Sequence, residues 1–203
     1  TVRNKCTPYG AKEHPMIHLQ NARLIDPEAG TDALGSLTIS EGMIHSRDTP
    51  APKSAKVIDC GGHCLAPGIV DIGVKIGEPG ERHRESFRSA GLAAAAGGVT
   101  TIIARPDTLP AIDTPEVLEF VTRRAAESPV RIRHMAALTK ARDGHEMTEI
   151  SFLLDAGAIA FTDAFNVSTD TKAMSRAFLY ARSLGALVIG HPQEPGLSQG
   201  AAA

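Results

Sequence analysis

The sequence predicts an α/β protein: a series of strand–helix units preceded by a small domain of short strands. Two observations carry this. From Leu65 onward, continuously apolar runs alternate with helical segments, and strands with that composition pair in parallel and are covered on both faces. Before Leu65 the text is different, with brief β-branched, alternating runs separated by Asp-Pro, Gly and Pro-rich punctuation, the pattern of a small antiparallel sheet.

Residues 1–15 show no periodicity and read as an arm or an expression remnant. The small sheet domain spans 16–64, with MIHLQNARLID, GSLTISEGMIHS and AKVIDCGGHCLAP as its extended runs and DTPAPKSA as a loop. In the strand–helix part, 65–203, IVDIGVKI is the first strand and ESFRSAGLAAAAGG an alanine-rich helix ending in glycines suited to a C-terminal cap. TTIIARP is the second strand. TPEVLEFVTRRAAES places Thr114 at the N-cap and Pro115 in the first turn, a strong helix start. VRIRHMAALT is the third strand, with His134 beside the core, and EMTEISFLLDAG a helix closed by Gly157, with His145 at its start. AIAFTDA, DTKAMSRAFLYARSLG and ALVIGHP complete the readable pattern as strand, helix closed by Gly185, and fifth strand.

Composition narrows the function classes. The chain has 203 residues, 42% hydrophobic and 22% charged, the make-up of an ordinary soluble globular protein. Its formal net charge of -2 leaves no electrostatic footprint for nucleic acid or an anionic membrane. No stretch approaches the roughly 20 apolar residues of a membrane span, so a cytoplasmic home is expected. Cys6, Cys60 and Cys64 make neither an even disulfide framework nor a paired zinc-knuckle pattern. No G-x-S-x-G occurs, and GLAAAAGGVTT runs from helix into strand, the reverse of a phosphate loop.

Parallel α/β architectures keep their chemistry at the carboxyl ends of the strands. The informative positions are therefore Gly73 to Glu78, Arg105 to Thr108, Thr139 and Lys140, Asp163, and His191 to Glu194. The first group is bare: Gly73, Lys75 and Gly77 supply neither a good metal ligand nor a neutral-pH base. Each of the others has two readings. Lys75 is either solvated or paired; Asp163 either satisfies loop amides or ligates; His191 is either packed or a ligand. Arg105 either binds an anion, with Asp107 as a second ligand-reading group, or pairs with Asp107.

LAPGIVDIGVKIGEPG, AAAAGGVTTIIARPDTLPAID, ALTKARDGHEMTEISFLLDAGAIAFTDA and LVIGHPQEPGLSQG together resemble the dihydroorotases of the amidohydrolase superfamily, from about Ile17 to the last residue. The resemblance implies a (β/α)8 barrel of the metal-dependent hydrolase kind with a small β-sandwich built from both chain ends. It also implies zinc-dependent opening of a cyclic amide in pyrimidine synthesis. Such a barrel takes roughly 250 residues, so 65–203 is expected to be its N-terminal part, about five βα units, with the rest supplied by a further segment.

Against the family pattern D-x-H-x-H-x-R-E-P-G, Asp71 and Glu78-Pro79-Gly80 stand, but Gly73 and Lys75 replace the histidines and Gly77 replaces the arginine. M-P-N-T becomes Arg105-Pro106-Asp107-Thr108, T-D-D-G becomes Thr162-Asp163-Ala164-Phe165, and H-C-E-D becomes His191-Pro192-Gln193-Glu194. A catalytic zinc needs about three ligands with lone pairs. Glycine has none, and a lysine with a reference pKa of about 10.4 is a cation that repels the ion. No metal is therefore expected, and the Lys75 ammonium is expected to fill the vacated position, pairing with Asp163 and reaching His191.

The resemblance implies a dihydroorotase-like protein without activity, retained as a structural partner of aspartate transcarbamoylase in a homo- or hetero-oligomer. One alternative is an active cyclic-amide hydrolase with a rebuilt zinc centre on Asp163 and His191. Another is a binding module that reads a polar ligand with Arg105 and Asp107.

Overall fold

The computed structural model describes residues 15–193. The arm's first 14 residues, Cys6, Glu194 and the terminal LSQGAAA lie outside the described residues. The chain divides into two compact units at Pro67/Gly68.

The first unit is one five-stranded sheet. Its strands are β1 (Ile17–Asp26), β2 (Thr31–Ser40), β3 (Met43–Arg47), β4 (Lys56–Asp59) and β5 (Cys64–Leu65). They run in the order β3-β2-β1-β4, with β5 also on β1. The expectation of a purely antiparallel sheet is corrected here: β1 pairs antiparallel with β2, but parallel with β4 and β5. The loop 48–55 carries the chain back to the start of β1, so β4 enters alongside it in the same direction. The alternation in β1 buries Ala22, and it buries His18, whose Nδ1 is 2.9 Å from the Thr38 hydroxyl. Cys60 and Cys64 are free thiols.

The second unit follows the strand–helix pattern. β6 (Ile69–Val74), β7 (Val99–Ala104) and β8 (Arg131–His134) form a parallel sheet in chain order. Its helices are α1 (Phe87–Ala96), α2 (Pro115–Ala125), α3 (Ile150–Asp155) and α4 (Thr171–Ser183). The fourth and fifth strands expected from AIAFTDA and ALVIGHP are reduced to isolated parallel bridges, Ala136↔Phe161 and Phe161↔Val188. They still extend the sheet in the same order: Ile159 N–H donates to His134 O, Thr162 N–H to Ala136 O, and Ile189 N–H to Phe161 O. Pairing over so few residues positions the strand ends without building full strands.

Local chemistry sets the helix ends. Ser86 caps α1 and forms a reciprocal capping box with Ser89. Thr114 has the extended backbone of an N-cap but makes no side-chain cap bond, so α2 starts on Pro115 with Glu116 in its first turn. Asp170 caps α4 through Ala173 N–H. Helix α3 begins later than its sequence suggests, because Met147 bridges to Thr139 and holds His145–Glu149 outside the helix. Gly157 and Gly185, at φ 102° and 68°, end α3 and α4 in a conformation that favours glycine.

The main core lies between strands and helices: Ile102, Ala104 and Ile132 pack with Phe87, Leu118, Val121, Leu153 and Ala177. The opposite face of the sheet carries a smaller cluster of Ile103, Met135 and Ala160 against Ile189. Ile72 on that face is 65% exposed, so the two faces are not equally covered.

Candidate functional site

The carboxyl ends of the strands meet at a cavity of about 320 Å³. Ile72, Met135 and Ile189 give it apolar walls, and Gly73, Arg105 and His191 stand at its polar edge. Of the residues singled out in the sequence, these last three are brought together directly, while Lys75 and Asp107 join them through contacts.

Arg105 follows β7 and is fixed by Asp107. Its Nε donates to Asp107 Oδ1 at 3.2 Å and its Nη2 to Oδ2 at 3.0 Å. The side chains are 14% and 10% exposed, so this two-bond pair is largely out of water. Arg105 is thus paired with Asp107 in this geometry. Lys75 sends its ammonium to Glu81, at 3.3 Å, with Asp107 at 4.0 Å. Hydrogen bonding from Lys75, with the nearby Arg84 charge, holds the Glu81 carboxyl below its usual range.

The expected Lys75–Asp163 pair does not form. Asp163, which is 8% exposed, accepts from Leu138 N–H and Thr139 N–H, both at 3.0 Å, and from the Thr139 hydroxyl at 2.6 Å. The backbone after β8 thus supplies the donors that a lysine was expected to supply, and a short aspartate is satisfied locally. Burial pushes the Asp163 carboxyl up from its ordinary value, against the pull of these three donors. His191 does not meet Lys75 either: its Nε2 lies 2.9 Å from Gln193 Oε1, and its ring stands edge-on to Phe165, centroids 5.2 Å apart.

Gly73 sits at a register shift of β6 with φ 89°, a left-handed backbone that side-chain-bearing residues avoid. A Cβ on Gly77 would come within 2.6 Å of Glu81 O, and Glu81 N–H donates to Gly77 O, so the turn closes over the position that the family pattern gives to arginine.

Among the described residues, the donor set does not fit a catalytic zinc: no three His, Cys, Asp or Glu side chains converge. Gly73 offers no lone pair, and Lys75 is a paired cation.

Several residues in this region escaped the sequence reading. Glu81, in the charged stretch 81–85, has no sequence signal that points to Lys75. Phe165, 63% exposed, lies under the Arg105 guanidinium at 4.3 Å from the ring centroid. Glu78, 5% exposed, accepts from Phe87 N–H at the start of α1 and from Arg124 Nε near the end of α2. Its place in Glu-Pro-Gly was visible; its partners, distant in sequence, were not.

A parallel strand–helix sheet with its polar residues gathered at the strand ends defines a protein of the strand–helix α/β class, and comparison with known proteins gives its family. A dihydro-orotase-like family model matches residues 62–203. The chain is 40% identical over 188 residues to a dihydroorotase of Anaplasma phagocytophilum, covering 89% of this chain and 42% of that protein. It is 34% identical over 184 residues to a dihydroorotase of Streptococcus pneumoniae, covering 90% and 44%. Among solved structures, an L-hydantoinase from Arthrobacter aurescens superposes with a TM-score of 0.78 at 21% identity, covering 92% of this chain and 42% of that one. The chain belongs to the dihydro-orotase-like family. It spans less than half the length of these relatives.

Proposed function

We propose that this is a dihydroorotase-like protein of pyrimidine biosynthesis that has lost hydrolase activity and serves as a structural partner, with aspartate transcarbamoylase as the partner and the cytoplasm as its compartment. The closed (β/α)8 barrel and the completed β-sandwich belong to the same reading, as does assembly into a homo- or hetero-oligomer. One observation carries it: at the positions that the family pattern gives to two histidines stand Gly73 and a Lys75 engaged with Glu81. An ion pair there removes the first-strand half of a zinc centre while leaving the surrounding fold grammar intact. The partner assignment rests on the family resemblance, and the retained fold supports it because a scaffold needs its surface and not its ligands.

The test uses the intact protein. Elemental analysis is expected to find no stoichiometric zinc, dihydroorotate is expected not to be hydrolysed, and native purification is expected to bring aspartate transcarbamoylase along. Zinc-dependent turnover would overturn the reading in favour of a centre rebuilt on Asp163 and His191. Purification as a species free of the transcarbamoylase would remove the partner.

A further inference from the structure

The chain's departures from the family pattern touch one another. Lys75 stands 4.0 Å from Asp107, and Asp107 is gripped through two bonds by Arg105. The Arg105 guanidinium lies over Phe165, whose edge meets His191. On the other side, Lys75 is held by Glu81. The series crosses the segments that follow β6, β7, the Phe161 bridge and the Val188 bridge, the last two of which join the sheet through isolated bridges.

We propose that Lys75, Asp107, Arg105 and Phe165 form one cooperative, metal-free tie that holds the strand ends in place, doing mechanically what a shared cation does in a metal centre. The charges alternate from Glu81 through Lys75 and Asp107 to Arg105, so the tie together with Glu81 is neutral. Its centre is the nearly buried Arg105–Asp107 pair, in which either partner alone would be an uncompensated charge out of water. Its outer contact, Lys75 with Glu81, is more exposed and contributes orientation more than energy. Phe165 covers the guanidinium face that Asp107 leaves open, and the turn at Ala164, with φ 56°, delivers it there. Removing Arg105 or Asp107 alone strands the other, whereas Lys75 and Phe165 act on the outside of that pair. The metal-free part of this inference rests on the proposed loss of the zinc centre; the coupling among the four side chains does not.

The experiment follows thermal unfolding of the intact protein and its Arg105→Met, Asp107→Asn and combined variants, each with EDTA and with added zinc chloride. Either single change is expected to lower the midpoint by roughly 5 °C or more, and the combined change by clearly less than the sum, because no charge is then stranded. Phe165→Ala should lower the midpoint of the wild type more than that of Arg105→Met. EDTA and zinc should leave the wild-type midpoint where it is. Should Arg105→Met fail to fold, Arg105→Lys keeps the charge, loses the two-bond grip, and is expected to fall between wild type and Asp107→Asn. Additive effects would overturn the tie even if the protein holds no zinc. A midpoint lowered by EDTA would overturn its metal-free character even if the coupling is present, so the two ideas fail separately.

Discussion

Asp163 and Thr139 are locked together by a 2.6 Å hydrogen bond from the threonine hydroxyl to Oδ2, while the backbone N–H of Thr139 donates to Oδ1 of the same carboxylate. The Thr139 oxygen in turn accepts from Gly144 N–H. This joins the end of the fourth strand position to the tight turn after the third, which places Asp163 in the architecture of the strand ends and turns it away from the cavity.

That geometry makes a prediction that a ligand role would not. Replacing Asp163 with alanine leaves two buried N–H groups and a hydroxyl without their acceptor and is expected to destabilise the protein by about 3 kcal/mol. Thr139→Val should cost about 1–2 kcal/mol, and the double variant less than the sum. Chemical denaturation of the three variants measures this coupling. If Asp163→Ala unfolded at the wild-type denaturant concentration, the staple would have no structural weight.

Much of this architecture is legible in the sequence because it rests on local periodicity. The apolar runs at Ile69–Val74 and Val99–Ala104, Pro115 at the start of α2, and the glycines after α3 and α4 each announce themselves within a few residues. The strand-end residues are legible as a set, since the carboxyl ends of parallel strands are where polar side chains collect. Their partners are not. Whether Lys75 meets Asp163 or Glu81 depends on a side-chain direction fixed by the turn at Gly77–Glu81, and Asp163 was claimed by backbone donors that no residue identity reveals. The apolar runs at Phe161 and Val188 likewise predict full strands where the pairing is short, because apolar composition does not encode how many residues find a partner.

Restoring the two histidines should not restore a metal site. A histidine at position 73 has open space around its Cβ but must adopt the φ of 89° at the register shift, a strain of about 1–3 kcal/mol. Changing Lys75 also withdraws a cation from Glu81 and Asp107. The Gly73→His/Lys75→His variant is therefore expected to be less stable than wild type and to carry no more zinc after dialysis, as read by elemental analysis. One zinc per chain in that variant would show that the backbone at Gly73 relaxes easily and that only the side chains were lost.

Glu78 ties three segments in the second unit: its own loop, the start of α1 through Phe87 N–H, and α2 through Arg124, with Arg82 at 3.7 Å on the surface side. The bond to Glu78 is the leading cause that raises Arg124 above its usual value. Glu78→Gln keeps the shape and one acceptor but removes the charge that faces both the α1 N-terminus and the guanidinium. It is expected to cost about 1.5–3 kcal/mol, with hydrogen exchange speeding up first in the opening turn of α1. Unchanged protection there would mean that Ser86 and its capping box hold the helix start alone.

His134 is expected to make the fold sensitive to mild acid. It is 3% exposed, neither ring nitrogen has a hydrogen-bond partner, and the ring stands edge-on to Phe87 with centroids 5.6 Å apart. Burial lowers its pKa from the ordinary 6.5 to about 4. Between those values the unfolded chain binds a proton that the folded one refuses, so stability is fully present above pH 6.5 and is lost as pH falls toward 4, by about 3 kcal/mol at most. Asp163 works in the opposite sense, because burial raises its pKa and acidification toward that raised value relieves its desolvation. His134→Leu removes the titrating ring while keeping an apolar side chain against Phe87. Denaturant midpoints measured from pH 7.5 to 4.5 should fall steeply for the wild type and flatten in this variant. Parallel curves for the two proteins would mean that the acid response lies elsewhere and that the ring finds a proton acceptor when it charges.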